Sequence, residues 1–479
     1  MSSQGSIDRL NTKALISNAS TAFIAQGVAM ALSIIQSLLV PKLLGYSQYG
    51  FWQLFLFYTS YVGFFHFGLA DGIYLINGGK ARDVIDKKSI NSQFFFGLAF
   101  QILFALVIVT LSLSGAFGRE RDFVIFWTGV YLVIQNAATY LGYVFQAMNE
   151  TKLFSYSCIL ERFMFLVPLV ALLVSGNVSF EPYVYAYCFS SCCQVAYCLY
   201  YARDFLSSGL ERPGVAIREG LRSIRIGSKL MVANIASQLI LGFARFTIDA
   251  VWGIETFGKL SLALSLVNFF LAIIGQASMV LFPALRQSEE SQIVLFYRTA
   301  RDMMTLFLPI IYVLFFPLVW ILGLWLPAYA DSFRYFALLV PICVFESKMA
   351  ISCTTLFKVR REETILLKIN IITTLASALG TAVSAYAIDS AYAVLGVVVA
   401  CIVGRSFWSE WHFNREFCLT AHAASCAEIL LTVLFSALTL AFSYQVAFIL
   451  FTCAYALFLF LFRNRASELL RGIIRLRKR

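Results

Sequence analysis

Residues 93–115 read QFFFGLAFQILFALVIVTLSLSG, and none of these 23 side chains is charged. A helix needs about 20 mostly apolar residues to cross a bilayer, because it rises about 1.5 Å per residue through a hydrocarbon core about 30 Å thick. Similar runs recur along the 479 residues, of which only 13% are charged. The pattern predicts an all-α integral membrane protein rather than a soluble domain, in which about 25% of residues would be charged.

Runs of this length predict fourteen transmembrane helices. They cover residues 15–40, 51–77, 93–115, 123–146, 156–175, 182–202, 228–251, 260–284, 303–326, 333–356, 364–386, 391–408, 424–443 and 446–462. The first run is longer than the apolar core of a cleavable signal peptide, so we expect it to remain as a helix. The 11 cysteines lie inside apolar runs, which favours buried thiols over a disulfide framework or a metal site.

Lysine and arginine accumulate in alternate loops, and this predicts the orientation because cytoplasmic loops are enriched in both residues. With both termini in the cytoplasm, the predicted cytoplasmic segments hold 30 basic residues and the opposite loops hold five. Arg245 and Lys348 are the two that fall inside predicted spans. The net charge of +11 is spread over eight loops, which argues against a nucleic-acid partner.

A Gly-x3-aromatic-Gly motif occurs twice. Residues 45–50 read GYSQYG after the first span, and residues 253–258 read GIETFG after the seventh, at an offset of 208 residues. A weaker repeat, Glu-Thr, occurs at Glu150-Thr151 and again at Glu363-Thr364. An even number of spans separates the copies, so they predict two six-helix lobes that run in the same sense around a central cavity.

The expected organisation follows from this repeat and from the loop charges. We expect an N-terminal six-helix lobe, a cytoplasmic amphipathic connector, a C-terminal six-helix lobe, two additional transmembrane helices and a basic cytoplasmic tail, at residues 1–202, 203–227, 228–408, 409–462 and 463–479. Seven basic residues in the tail predict contact with anionic membrane lipids.

Charged residues inside spans are candidate substrate sites, because such residues face a protein interior or a wet cavity. Arg245 and Asp249 lie one helical turn apart in span seven, where they form either a structural ion pair or a site for an anionic substrate. Glu346 and Lys348 lie two residues apart in span ten, so we expect partners on different helices. For these two residues a substrate role and a structural polar network both stay open.

Two further groups of polar residues lie in the first two spans. His66 and Asp71 could relay protons, or His66 could be a hydrogen-bonded packing residue. Asn18, Gln26 and Gln36 could line a wet cavity or could bond between helices. No cofactor is predicted, and a coupling ion, H⁺ or Na⁺, stays open.

Four stretches carry a resemblance to a known family: Asn18 in a Gln-containing first span, VPKLLGYSQYG at 40–50, FGLADG at 67–72 and WGIETFG at 252–258. On these residues the chain resembles the polysaccharide and oligosaccharide-lipid flippases of the multidrug/oligosaccharidyl-lipid/polysaccharide exporter superfamily, a group that includes O-antigen flippases. The resemblance implies alternating access and a substrate made of a short oligosaccharide on a polyprenyl diphosphate. It also implies transfer to the outer leaflet of a bacterial inner membrane, possible glycan-assembly partners, and cationic cavity residues that Arg245 and Lys348 match.

Two other functions compete with the flippase. A cation-coupled drug antiporter of the same superfamily would share the fold and would favour acidic cavity residues. A membrane-embedded glycan polymerase or glycosyltransferase would need a sizeable outer loop, and no predicted outer loop exceeds about 15 residues. We therefore predict a transporter and not an enzyme.

Overall fold

The computed structural model describes residues 27, 32, 35, 37–286, 288–419, 423–467 and 469. Within these residues, nine helices are long and apolar enough to cross a membrane, or ten if one bent pair counts as a single span. The protein is an all-α, multi-pass membrane protein, and the predicted number of fourteen helices is approximate. Asn18, Gln26, Gln36, most of the first predicted span and most of the basic tail lie outside the described residues.

The chain divides into two compact units, residues 1–235 (unit 1) and 236–479 (unit 2). The helices of unit 1 are α1 (Val40–Thr59), α2 (Leu69–Asn77), α3 (Lys87–Ser112), α4 (Arg119–Ala147), α5 (Thr151–Val174), α6 (Glu181–Tyr201), α7 (Arg203–Leu206) and the first part of α8 (Pro213–Arg286). Helix α8 contains both the C-terminal part of the predicted connector and the seventh span, without a separate interfacial helix between them. Its apolar neighbours in unit 1 include Phe96, which contacts Gly220.

Span two is broken rather than continuous. Helix α1 ends at Thr59, a 3₁₀ turn covers Val62–His66, and α2 begins at Leu69. Phe67 and Gly68 between them have left-handed backbones, with φ of 51° and 86°. Apolar side chains fill this stretch, so hydropathy alone gives no sign of the break.

Two amide side chains satisfy carbonyl groups that the break leaves free. Asn136 on α4 donates to the carbonyl of Val62 at 2.9 Å, and Gln101 on α3 donates to that of Phe65 at 2.7 Å. The two amides also bond to each other at 2.8 Å. An unsatisfied backbone group in a membrane costs several kcal/mol, so Gln101 and Asn136 stabilise the broken helix.

Small residues let α2 approach the start of α8 closely. A Cβ atom added to Gly72 would lie 2.0 Å from the carbonyl oxygen of Ser223, and one added to Gly227 would lie 2.0 Å from that of Gly68. Two small residues spaced four apart on a membrane helix, often glycines, commonly let the backbones of two helices approach closely. The C-terminal part of the predicted connector therefore packs on α2, within unit 1, through its backbone.

The helices of unit 2 are the remainder of α8, α9 (Glu290–Phe307), α10 (Ile310–Trp325), α11 (Ser332–Lys348), α12 (Thr355–Val359), α13 (Glu363–Tyr386), α14 (Ala391–Glu416), α15 (Ala423–Ala441) and α16 (Tyr444–Leu461). Helices α9 and α10 form the bent pair, with an angle of 43°. A π-helical stretch, Met349–Thr354, joins α11 to α12. Such stretches are rare and frequently mark functional sites.

The two glycine motifs have the same backbone geometry. Gly45 interrupts α1 with φ 67° and ψ 177°, and Gly253 interrupts α8 with φ 77° and ψ −177°. The weaker repeat is shifted by one residue from the predicted pairing. Left-handed Asn149 and Arg361 precede Glu150 and Glu362, so Glu150 corresponds to Glu362 and not to Glu363.

Candidate functional site

The loop count included Arg162, Arg301 and Arg405, which lie inside α5, α9 and α14. Counting them with loops was wrong, because Arg162 and Arg405 fall within the predicted spans 156–175 and 391–408, and Arg301 lies on a helix that begins before the predicted span 303–326. Arg301 and Arg405 are 1% and 4% exposed. Arg245 and Lys348 are therefore not the only basic residues inside spans.

Lys348 lies in a closed ionic cluster of unit 2. Its Nζ contacts a carboxylate oxygen of Glu410 on α14 at 2.7 Å and one of Glu428 on α15 at 2.8 Å, and all three side chains are at most 5% exposed. Ser425 also donates to Glu410, at 2.8 Å. Two carboxylates compensate the ammonium charge, so Lys348 joins three helices at the point where the π-helical stretch begins.

A second polar group lies beside it, around the buried guanidinium of Arg301. Asp302 pairs with Arg301 at 2.9 Å and with Arg465 at 3.1 Å. Asn414 accepts from Arg301 and from the hydroxyl of Tyr297. Every member of this group has a partner, which indicates a structural network.

Glu346 belongs to a separate pair. It accepts a hydrogen bond from Arg405 on α14, and Arg405 also donates to Ser237 at 3.1 Å. Glu346 and Lys348 thus bind different side chains, but the expectation of partners on different helices is met only in part, because both have a partner on α14. Their contacts are within unit 2.

Arg245 and Asp249 lie on α8, as predicted, one turn apart. The Arg245 guanidinium donates to Ser261 at 3.2 Å and lies 5.2 Å from the ring centre of Phe257. Phe257 is the aromatic residue of the second glycine motif. Asp249 is buried.

His66 and Asp71 flank the break in span two. The backbone N–H of Gly68 donates to Nδ1 of His66 at 2.9 Å, which leaves Nε2 facing Asp71 at 3.9 Å. That separation is longer than a hydrogen bond. A cavity of about 20 Å³ beside them, lined in part by Gln101 and Asn136, has room for one water molecule.

Sequence reasoning did not single out Arg162. It lies eleven residues after the start of α5, about 16 Å along the helix axis, and interacts electrostatically with Tyr187, Glu161 and Tyr131. The adjacent Glu161 also accepts a hydrogen bond from Ser191 at 3.0 Å. Among the described residues, no side chain forms a hydrogen bond or ion pair with Arg162. The signal was present in the sequence, because the predicted span 156–175 already contains Arg162.

An ionic cluster outside the spans joins the loops of unit 1. In this Arg82 cluster, Arg82 contacts Glu150 and Asp204, both at 2.8 Å, and Lys87 contacts Asp204 at 2.8 Å. Burial alone would raise the pKa of Asp204, but hydrogen bonds and charges from Arg82 and Lys87 outweigh it and lower the pKa to about 2. The cluster carries two positive and two negative charges.

The lowered pKa predicts how the cluster responds to acid. A carboxylate whose pKa is lower in the folded state stabilises the fold above its ordinary pKa and loses this effect as the pH falls towards the folded value. We expect Asp204→Asn to cost at most about 1 kcal/mol at neutral pH, because the side chain is partly exposed. The difference in unfolding temperature between wild type and variant should stay constant from about pH 7 to pH 5 and shrink below about pH 4. An unchanged difference at pH 3 would contradict this account.

Comparison with known proteins gives matches at the level of fold. No family model and no curated protein sequence matches the chain. Among solved structures, an inward-facing multidrug resistance MATE family transporter of the MOP superfamily has TM-score 0.59 at 12% identity, covering 84% of this chain and 98% of its own. The lipid II flippase MurJ, in an inward closed conformation, has TM-score 0.58 at 9% identity, covering 94% and 100%.

A third structure, a MOP superfamily transporter from Pyrococcus furiosus whose binding pocket is described as having reverse polarity, has TM-score 0.51 at 12% identity, covering 85% and 96%. The aligned region covers almost the whole length of each of these three structures, so the likeness concerns the complete helical architecture. The three include a multidrug transporter and a lipid flippase. The chain therefore has the fold of MOP-superfamily transporters and flippases.

Proposed function

We propose that this protein is a flippase that moves polyprenyl-diphosphate-linked oligosaccharides across the bacterial inner membrane by alternating access, with both termini in the cytoplasm. Arg162 is the observation that carries the proposal. A diphosphate head group needs a cation inside the membrane that can turn towards it. No described side chain holds Arg162 in a hydrogen bond or an ion pair, although the carboxylate of the adjacent Glu161 interacts with it electrostatically.

The chemistry of the guanidinium suits this substrate. Moving a diphosphate through hydrocarbon removes its hydration at a cost of tens of kcal/mol by idealised estimates. Arginine presents a planar fork of donors that matches phosphate oxygens and stays charged at every physiological pH. Tyr131 and Tyr187 beside Arg162 add hydroxyl groups that can donate to phosphate or sugar oxygens.

The other basic residues inside spans differ in their surroundings. Lys348, Arg301 and Arg405 each contact a carboxylate, so binding a phosphate there would require that contact to break. Arg245 contacts Ser261 and Phe257. We therefore assign head-group binding first to Arg162 and a structural role to Lys348. Arg245 stays the second candidate on its position in the seventh predicted span alone.

Arg162→Ala tests this assignment. Because a hydrogen bond to a charged group contributes about 1.5 to 3 kcal/mol, we expect transport to fall at least about tenfold. Arg162→Lys should recover part of the loss, since it keeps the charge but not the fork. The assay is transfer of a labelled polyprenyl-diphosphate oligosaccharide in proteoliposomes with matched protein content.

Lys152→Ala is the matched control, because Lys152 lies in the first turn of the same helix. It should transport at the wild-type rate. Wild-type transport by Arg162→Ala would contradict the role of Arg162, and absence of transport by the wild-type protein would contradict the flippase itself.

A drug antiporter is the second candidate, and one observation favours it. The Lys348 cluster holds two carboxylates for one amine, and among the described residues nothing bonds to the buried Oε1 of Glu428. A proton or Na⁺ could bind to this spare oxygen. Ion-driven efflux of a cationic dye that Glu428→Gln abolishes would support the antiporter over the flippase.

A further inference from the structure

Three possible metal-ligand atoms converge in unit 2 where α13 begins and α14 ends. His412 Nε2 lies 3.0 Å from Glu362 Oε2 and 3.6 Å from Glu416 Oε2, and all three atoms lie within 4.8 Å of one another. Glu362 immediately precedes α13, whereas His412 and Glu416 are one turn apart near the end of α14. The ring of Phe357 stacks on the imidazole at 5.5 Å and fixes its orientation.

The carboxylates are held by their other oxygens. Arg360 contacts Oε1 of Glu362 at 3.3 Å and Oε1 of Glu416, and it also contacts Glu290. This leaves the two Oε2 atoms turned towards the imidazole. Oε2 of Glu416 is enclosed and has no hydrogen-bond partner among the described residues. A buried carboxylate oxygen without a donor is unfavourable unless a cation or proton reaches it.

The equivalent cluster in unit 1, the Arg82 cluster, differs from this group in its net charge. The Arg82 cluster is neutral because Arg82 and Lys87 balance Glu150 and Asp204. At an offset of 212 residues, Glu150 and Asp204 correspond to Glu362 and Glu416. The unit 2 cluster has three carboxylates and one arginine around a histidine, so with a neutral imidazole its charge is −2. One dication would balance it.

We propose that Glu362, His412 and Glu416 bind a divalent metal ion of the first transition row, with Zn²⁺ as the representative ion. One imidazole nitrogen and two carboxylate oxygens are ligands that Zn²⁺ accepts, and ligands about 2.0 to 2.2 Å from such an ion lie about 3.3 Å from each other. Arg360 acts as the outer residue that orients both carboxylates, as is usual around metal ligands. The side chains are about one quarter exposed, so the ion can enter from water. The bound ion links the start of α13 to the end of α14.

The test uses the full-length protein, purified in detergent, freed of any affinity tag and stripped with EDTA. We expect it to take up about one Zn²⁺ per chain, and Zn²⁺ to raise its unfolding temperature while Mg²⁺ does not. His412→Ala should lower the affinity for Zn²⁺ at least about tenfold. Glu362→Gln should do the same, and its unit 1 counterpart Glu150→Gln should bind Zn²⁺ as wild type does.

Cobalt distinguishes this site from the cysteines. Co²⁺ bound to the three residues should give a visible spectrum without the thiolate charge-transfer band, and His412→Asn should abolish it. The proposal fails if wild type and both His412 variants retain equal Zn²⁺, if Glu150→Gln loses as much as Glu362→Gln, or if the Co²⁺ spectrum shows thiolate ligation. Any of these outcomes leaves the flippase proposal unaffected, since transport is not the readout.

Discussion

Lys348→Ala is expected to destabilise unit 2 by about 3 to 5 kcal/mol, because removing one partner of a buried ion pair leaves uncompensated charge in the interior. Glu410 and Glu428 would both lose their cation, and each is at most 5% exposed. The measurement is thermal unfolding of purified protein in detergent, with protein abundance in membranes as the cellular counterpart. The effect should be present whether or not substrate is supplied.

A compensated variant separates stability from transport. Lys348→Met combined with Glu410→Gln and Glu428→Gln removes all three charges, and replacing a whole buried ion group by uncharged residues is often close to neutral. We expect this triple variant to recover most of the unfolding temperature. A stable Lys348→Ala protein that has lost transport would contradict the structural role and would return Lys348 to the substrate site.

Gly72→Ala should cost about 3 kcal/mol, although alanine is normally preferred to glycine within a helix. The new methyl group would lie 2.0 Å from the carbonyl oxygen of Ser223, so α2 and α8 would have to separate. Because the atoms that the methyl group meets belong to the backbone of Ser223, no side chain can move aside to relieve the overlap. Denaturant unfolding of the purified variant measures the loss.

Gly214→Ala is the matched control. Gly214 lies in the first turn of the same helix α8, and a Cβ atom there meets nothing within 4 Å. This substitution should be neutral or should stabilise by up to about 1 kcal/mol. If both variants lose the same stability, the close approach of α2 and α8 does not stabilise unit 1.

Apolar periodicity and length were sufficient to predict most spans, because a lipid-facing helix must be apolar for about 20 residues. Helices α3, α4, α5, α6 and α13 lie close to their predicted ranges. The break in span two was not predictable, since Val62 and Phe65 are as apolar as a helix would be. Amides 36 and 74 residues away stabilise it.

The candidate site was harder to predict than the fold. Glu410 and Glu428 lie 62 and 80 residues from Lys348, and no local pattern joins residues at such separations. Arg162 was counted with a cytoplasmic loop although it lies inside the predicted span 156–175, because a basic residue near the start of a span reads equally well as a loop charge. The spacing argument succeeded only in part for Glu346 and Lys348, because their partners are different side chains but Arg405 and Glu410 lie on the same helix, α14.

Glycines in this chain are required for two different reasons. At Gly72 the limit is space, because the Cβ of an L-residue would lie 2.0 Å from the carbonyl oxygen of Ser223. At Gly45 and Gly253 a Cβ atom would meet nothing within 4 Å, so only the backbone dihedrals exclude other residues. Mirror inversion carries those dihedrals into a region that every L-residue occupies. A D-alanine introduced by semisynthesis should therefore fit at Gly45 or Gly253, where L-alanine would be strained.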